Sequence, residues 1–276
     1  MIKKFRAEVN DNRLALIILT VIFVVKAMFV LSFNNVDWEP DSYMHFLELK
    51  TIYSNFPNNL DLGLGVWTKP LYAYFFGIPV TIFSANSFFI VQIINLLIFA
   101  VIGYIIFKIT QILFKNEMHS YLTIILTSFS LTLFKSSTSS LTEPIFTLLL
   151  VLGFYFSLKN RFEISSVLIG LSILGRIEGL FFIGIYFLYI LFKIKKPKLL
   201  TIHILLLSLP GLIWNFLGYL QTGYPIYIFD NGYPSTPGAY GYGEFYSIVW
   251  QFITGEPIIF LISLGGIIIF LKNFKK

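Results

Sequence analysis

Apolar residues in this chain fall in long blocks rather than in alternation, and the blocks predict helices that cross a membrane. A bilayer core about 30 Å thick takes about 20 helical residues. Blocks of that order lie at 14–33, 87–108, 120–135, 144–159, 163–176, 178–192, 199–218 and 257–272, which gives about eight spans. The region 163–192 reads as one long tilted helix or as two short ones meeting at Gly175-Arg176-Ile177-Glu178-Gly179. A further apolar stretch, 71–83, is short and sits among Pro70, Gly77 and Pro79, so it reads as interfacial or re-entrant. After the first block the pattern changes. From Asp41 onward one stripe carries Asp41, His45, Glu48 and Asn55, and another carries Phe46, Leu49, Tyr53 and Phe56. That is the pattern of a helix lying on a membrane surface. The fold class is therefore all-α and polytopic, a single membrane-embedded domain over residues 1–276.

Composition strengthens this reading: 57% of residues are hydrophobic, 18% aromatic and only 12% charged. No basic patch separates from the span ends, so the net charge of +6 points to membrane topology and not to nucleic acid. With no cysteine there is no disulfide or thiolate metal site, and three scattered histidines do not make a metal cluster. The basic N-terminus precedes an apolar run without a small-residue cleavage site, and it reads as a retained anchor.

The charges orient the spans. Eight spans and a cytoplasmic N-terminus put 15 of the 20 basic residues inside, from Lys3 to the Lys193–Lys198 group and Lys276. Only Lys50, Lys69, Lys135 and Arg176 lie toward the outside, and Lys26, within the first span, reads as snorkelling outward, with an inward role as the alternative. Ten of the 14 acidic residues fall outside. This obeys the positive-inside rule. The external segments are then a first loop at 34–86, a Ser/Thr-rich second loop from Lys135 to Pro144, a short third at Arg176-Ile177-Glu178, and a tyrosine-rich last loop at 219–256.

Charges at span ends are costly and mark candidate sites. Asp37, Glu39 and Asp41 lie within five residues. Crowded carboxylates repel, which raises the pKa of one of them toward base work. Pro40 suits the first helical turn there. His45, one turn beyond Asp41, is placed to orient it or simply to sit at the interface. Arg176 carries a planar fork suited to phosphate, or alternatively closes the hairpin as an ion pair with Glu178. Lys69, flanked by Trp67 and Pro70, is a second cation on the acidic side or a snorkelling anchor. Glu143 opens a span, as a helix-dipole partner or as a carboxylate facing the first cluster. The tyrosines at 224 and 227 suit sugar contacts or an aromatic belt. A divalent ion, Mg or Mn, has oxygen ligands available in Glu39, Asp41 and Glu143, and the metal question stays open.

Four segments, in this order, resemble the GT-C superfamily of polytopic membrane glycosyltransferases. They are Asp37-Trp38-Glu39-Pro40-Asp41-Ser42-Tyr43, Lys69-Pro70-Leu71-Tyr72, Leu141-Thr142-Glu143-Pro144 followed by Leu174-Gly175-Arg176-Ile177-Glu178-Gly179, and Thr222-Gly223-Tyr224-Pro225-Ile226-Tyr227. The second is similar to a Lys-Pro-Pro-Leu-Tyr element with one proline missing. Arg176 stands where many members have lysine. The resemblance implies a mannosyltransferase-like enzyme that uses polyprenyl- or dolichyl-phosphate sugars and inverts the anomeric centre on the extracytoplasmic face. It implies Asp41, with Glu39 and Asp37, as the catalytic carboxylates, and Lys69 and Arg176 on the donor phosphate. Glu143, Glu178, His45 and Tyr72 then support them, and Tyr224 and Tyr227 contact sugar or acceptor. The acceptor is a glycan, a lipid or a protein. The competing class is a non-catalytic transporter or assembly scaffold for lipid-linked sugars. A transporter calls for broken helices or polar groups near mid-membrane.

Overall fold

The structure is a computed structural model and describes residues 12–32, 40–54, 58–65, 69–83 and 87–230. All regular structure among them is helical. The elements are α1 (Arg13–Ser32), α2 (Pro40–Ser54), a 3-10 turn (Leu60–Leu64), α3 (Pro70–Ile82), α4 (Ser87–Phe114), α5 (Glu117–Ser128), α6 (Leu131–Thr138), α7 (Glu143–Leu158), α8 (Phe162–Leu171), a 3-10 turn (Ser172–Leu174), α9 (Gly179–Lys193), α10 (Pro197–Thr222) and α11 (Tyr227–Asp230). The expected span 257–272 and most of the last loop lie outside the described residues, as do Asp37, Glu39, Asn55, Phe56 and Trp67.

Local signals set the helix ends. Asn116 caps α5, its side chain accepting from Met118 N–H at 2.9 Å and His119 N–H at 3.3 Å. Pro70 and Pro197 occupy first-turn positions, where a missing N–H costs nothing. Gly223 ends α10 in the left-handed region at φ 77°, returning its N–H to Tyr219 O.

Among the described residues three helices are long and apolar enough to cross a membrane: α1, α4 from Phe88, and α10. The pair α6 and α7, bent by 117°, makes a fourth if it is one broken span. Helices α3, α8 and α9 are apolar but shorter. The block 120–135 is not one helix. It breaks at Phe129-Ser130, where Ser130 starts α6 by accepting from Leu133 N–H. The region 163–192 forms two helices joined by a tight turn.

Helix α4 is the spine, lying against α1, α3, α5, α6 and α7, while α8 packs between α7 and α10. Gly170 lets α8 and α10 meet closely, since a Cβ there would lie 2.5 Å from the Leu206 carbonyl. The α2–α3–α4 core holds Phe46, Leu49, Tyr72, Phe76, Val91 and Ile102. Helix α2 does not present the expected polar stripe. Its inner face is Ser42, His45, Phe46, Leu49 and Ile52, so His45 is buried.

The Ser/Thr-rich second loop is likewise buried. Ser136, Ser137, Thr138, Ser139, Ser140 and Thr142 are each at most 4% exposed. The backbone leaves α6 after Thr138 and rejoins a helix only at Glu143, so its polar groups need partners, and three helices supply them. Asn95 donates to Ser139 O at 2.7 Å and Leu141 O at 3.1 Å, and Gln92 donates to Thr138 O at 3.2 Å. Ser42 Oγ accepts from Ser140 N–H at 2.5 Å, and Tyr72 O–H donates to Ser140 O at 2.9 Å. Lys26 completes the set from α1, its amine donating to Ser137 Oγ at 2.8 Å and lying 3.6 Å over the Phe99 ring. Lys26 is therefore fully buried and does not snorkel, because this hydroxyl and ring take its ammonium inside the bundle.

Candidate functional site

The buried turn delivers Glu143 to the first residue of α7, and the turn from α8 to α9 delivers Arg176 and Glu178. That second turn is tight. Gly175 and Arg176 both return N–H to Ser172 O at 3.0 Å, and a Cβ on Gly179 would lie 2.6 Å from Ile173 N. Ile177 buries itself against Ile173 and Trp214, which fixes the turn between its two charged neighbours. Arg176 then grips two carboxylates. Its Nη2 and Nε donate to Glu178 at 2.7 and 3.3 Å, and its Nη1 donates to Glu143 Oε1 in a close ion pair. The guanidinium therefore closes the hairpin, as one of its two expected roles required, and also ties the turn to the start of α7.

Lys69 comes to the same place from α3. It sits one residue before Pro70 with φ 65°, a strained conformation for a side chain with a Cβ, and strain of this kind collects at functional sites. It lies within electrostatic reach of Arg176, Glu178, Glu143 and Glu48. Burial, then Arg176, lowers its pKa to about 8. His45 is lowered to about 4, first by burial and then by Lys69 and Arg176, so it is neutral near pH 7. Burial raises Glu48, against the pull of Lys69. Burial also acts to raise Glu178, but the hydrogen bond and charge of Arg176 prevail and its pKa is lowered. A neutral imidazole, a half-buried amine and a doubly held guanidinium form one cluster, drawn from α2, α3, α7 and the α8–α9 turn.

Of the residues expected from sequence, Lys69, Glu143, Arg176, Glu178 and His45 come together. Tyr72 supports them from beneath, its ring centroid 5.8 Å from that of His45. Asp41 stands half-buried in the first turn of α2, one turn before His45. Asp37 and Glu39 lie outside the described residues. Tyr224 is 49% exposed, whereas Tyr227 is buried against Trp214 and donates to Leu64 O at 3.3 Å. Tyr227 is a packing residue, because its ring fills the space beside Gly218. Among the described residues no group of three or more metal-ligating side chains forms. Glu143 is already paired with Arg176 and lies near Lys69, two cations that make it a poor ligand for a third.

The polar anchors of the buried turn were not expected as a group. Their signal was Gln92 and Asn95, three apart on one face of an otherwise apolar block.

An apolar cavity of about 580 Å³ opens beside the cluster between α3, α8 and α10. Its lining includes Pro70 and Leu71, next to Lys69, Leu174, two residues before Arg176, and Ile213, Trp214 and Leu217 of α10. No protein-family model, curated protein or solved structure matches this chain.

Proposed function

We propose that the protein is an inverting membrane glycosyltransferase with an eight-span, GT-C-like architecture. It moves a sugar from a polyprenyl-phosphate donor to an acceptor at the extracytoplasmic face. One observation carries the reading: Lys69, Glu143 and Arg176, far apart in the chain, gather within electrostatic reach of one another and of His45 and Glu48 on α2, the helix whose first turn carries Asp41. The adjoining apolar cavity suits a prenyl chain whose phosphate lies at the Lys69–Arg176 end.

In this scheme Asp41 takes the proton from the acceptor hydroxyl as its oxygen attacks the anomeric carbon. The bond to the phosphate oxygen breaks on the opposite face, and the lipid phosphate leaves with the electron pair. Lys69 and Arg176 stabilise the charge growing on that phosphate. Glu143 and Glu178 hold the guanidinium in position. A half-buried lysine at a pKa of about 8 gains from an arriving anion, which offsets the cost of keeping its ammonium partly out of water.

The test is single-turnover sugar transfer by purified protein from a polyprenyl-phosphate donor, with donor binding measured in parallel. Lys69→Ala should weaken donor binding, while Asp41→Asn should slow transfer alone. Absence of transfer by the wild type with every donor tried would end the reading. A second reading, a transporter of lipid-linked sugars, draws on the broken α6–α7 pair and on Lys26 buried in α1. It requires lipid-linked sugar to cross vesicle membranes without being consumed.

A further inference from the structure

A small polar cavity of about 170 Å³ lies between α4 and α7, lined by Lys108, Gln111 and Ile112 of the first and Tyr155 and Lys159 of the second. Spacings of three and four residues put each set on one side of its helix. Four of the five side chains carry a hydrogen-bond donor, two of these donors are ammonium groups, and among the described residues no carboxylate lines the cavity. The two helices run the same way. Asn95 of α4 donates to Leu141 O just before α7 begins, and about 20 Å further along both, Lys108 and Tyr155 meet at the cavity. Tyr155 lies about 18 Å along α7 from Glu143, so this is the opposite end of the bundle from the ionic cluster.

The cavity also stands at headgroup depth. From Phe88, where the apolar span of α4 begins, to Lys108 is about 30 Å of helix, the thickness of a hydrocarbon core. The lysines are not there to cap α7. Its last turn closes on itself, with Lys159 N–H donating to Tyr155 O and Phe156 O, Asn160 N–H to Ser157 O and Arg161 N–H to Phe156 O, all at 2.9 to 3.1 Å. Asn160 takes the left-handed conformation, φ 55°, that this closure needs. The turn fixes the backbone of Lys159, and rings steady both amines. Lys108 Nζ is 5.6 Å from the Tyr104 centroid and 5.9 Å from that of Phe107, and Lys159 Nζ is 5.8 Å from that of Tyr155.

We propose that this cavity binds the phosphate of an anionic membrane phospholipid, with Lys108 and Lys159 on its charge and Gln111 and Tyr155 on its remaining oxygens. An anion seated between two ammonium groups is attracted by both. A zwitterionic phospholipid offers the same phosphate but brings an ammonium of its own, which the two lysines repel, so the site selects net negative charge. The cavity takes the phosphodiester alone, and the acyl chains stay in the bilayer beside the span. Basic pockets between spans hold acidic head groups in this way at the cytoplasmic leaflet, which is where the proposed orientation places this end. The site goes beyond the glycosyltransferase reading and does not depend on it.

Native mass spectrometry of the full chain, released from micelles holding equal amounts of dioleoyl phosphatidylglycerol and dioleoyl phosphatidylethanolamine, counts the lipid retained. The wild type should keep phosphatidylglycerol in preference. Lys108→Gln with Lys159→Gln should weaken its binding by about thirtyfold, two lysines at about 1 kcal/mol each. The matching pair of arginine substitutions keeps the charge and should keep the preference. Lys193→Gln with Lys195→Gln removes the same charge from the exposed α9–α10 link at the same end and should change little. Equal retention of the two lipids by the wild type would leave no anion site. Equal losses in the two glutamine pairs would reduce the effect to attraction spread over the whole basic end. Displacement of the lipid by millimolar inorganic phosphate would make this a site for a soluble anion. Each of these three results overturns the proposal. Thermal unfolding screens the variants, and should the glutamine pair at 108 and 159 fail to fold, the wild-type lipid preference and the phosphate competition still decide.

Discussion

The amine of Lys26 donates to the hydroxyl of Ser137 at 2.8 Å across 111 residues of sequence, joining the first span to the bend that leads into Glu143. A cation inside a span is expensive, and this one is held by a hydroxyl and the Phe99 ring. The bend is therefore a packed interior element and not a solvent loop.

Cysteine labelling tests that directly, because the chain has no native cysteine. A cysteine at Thr138, which is 1% exposed, should resist an impermeant thiol reagent from either side until the protein unfolds. One at Asn58 should label from outside, and ones at Glu117 and Lys196 only from inside. Rapid labelling at 138 would show the bend to be open. External labelling at 196 would reverse the proposed topology.

Arg176→Ala should weaken donor binding by roughly 2–5 kcal/mol if it removes one partner of a desolvated, hydrogen-bonded charge pair. Arg176→Lys should restore only part, since the fork that spans Glu143 and Glu178 is lost. Equilibrium binding of a polyprenyl phosphate reads both variants. Unchanged binding in a folded Arg176→Ala protein would leave Arg176 as a hairpin clasp only.

At Lys69 stability and binding should separate. Its φ of 65° suits glycine, so in Lys69→Gly relief of that strain offsets the extra freedom glycine gives the unfolded chain, and stability should change little while donor binding falls. Wild-type binding should also weaken above pH of about 8, where the free amine loses its proton. Thermal unfolding and binding isotherms on the same samples check both. A large loss of stability in Lys69→Gly would mean that the side chain holds the fold.

His45 sets an acid limit. Its folded pKa of about 4 lies below its ordinary 6.5, so the unfolded chain takes up the proton first. The stability at issue is fully present above pH 6.5 and is lost as pH falls toward about 4, by up to about 3 kcal/mol. His45→Phe should flatten the stability profile across this window in denaturant titrations. An unchanged slope would show that His45 is not the group responsible.

Much of the fold was legible because apolar blocks need little context. The ends of α1, α7 and α9 lie within a residue or two of blocks read directly from sequence. The span count was harder. Helix α8 and its 3-10 extension stop short of a bilayer's thickness, and the break at Ser130 depends on a hydroxyl that competes locally with the helix. The charges at 69, 143, 176 and 178 were legible as candidates because charge is rare here. The Arg176–Glu178 pair was legible too, as neighbours in one turn, but the Arg176–Glu143 pair was not, since no sequence spacing places Arg176 against Glu143, 33 residues away. The burial of Lys26 and of the serine run was missed for the same reason. A snorkelling lysine and a polar loop are local expectations, and the partners that overrule them, Phe99, Asn95 and Tyr72, arrive through tertiary packing.

Asp41 is the sharpest test of the chemistry. It occupies the first turn of α2, where the helix start favours a carboxylate and the buried Ser42, His45 and Phe46 fix the helix's rotation. Its direction is therefore set by packing one turn away, and positioning of this kind contributes as much to proton transfer as basicity does. Asp41→Asn keeps the shape and removes the base. Turnover should fall by about two to four orders of magnitude, the usual effect of losing a positioned base. Donor affinity should change little, because the phosphate is held by Lys69 and Arg176 on other elements. Single-turnover transfer separates these quantities, and thermal unfolding guards against loss of fold. Equal transfer rates in wild type and Asp41→Asn would remove Asp41 from the mechanism and shift the role of base to another carboxylate of the first loop.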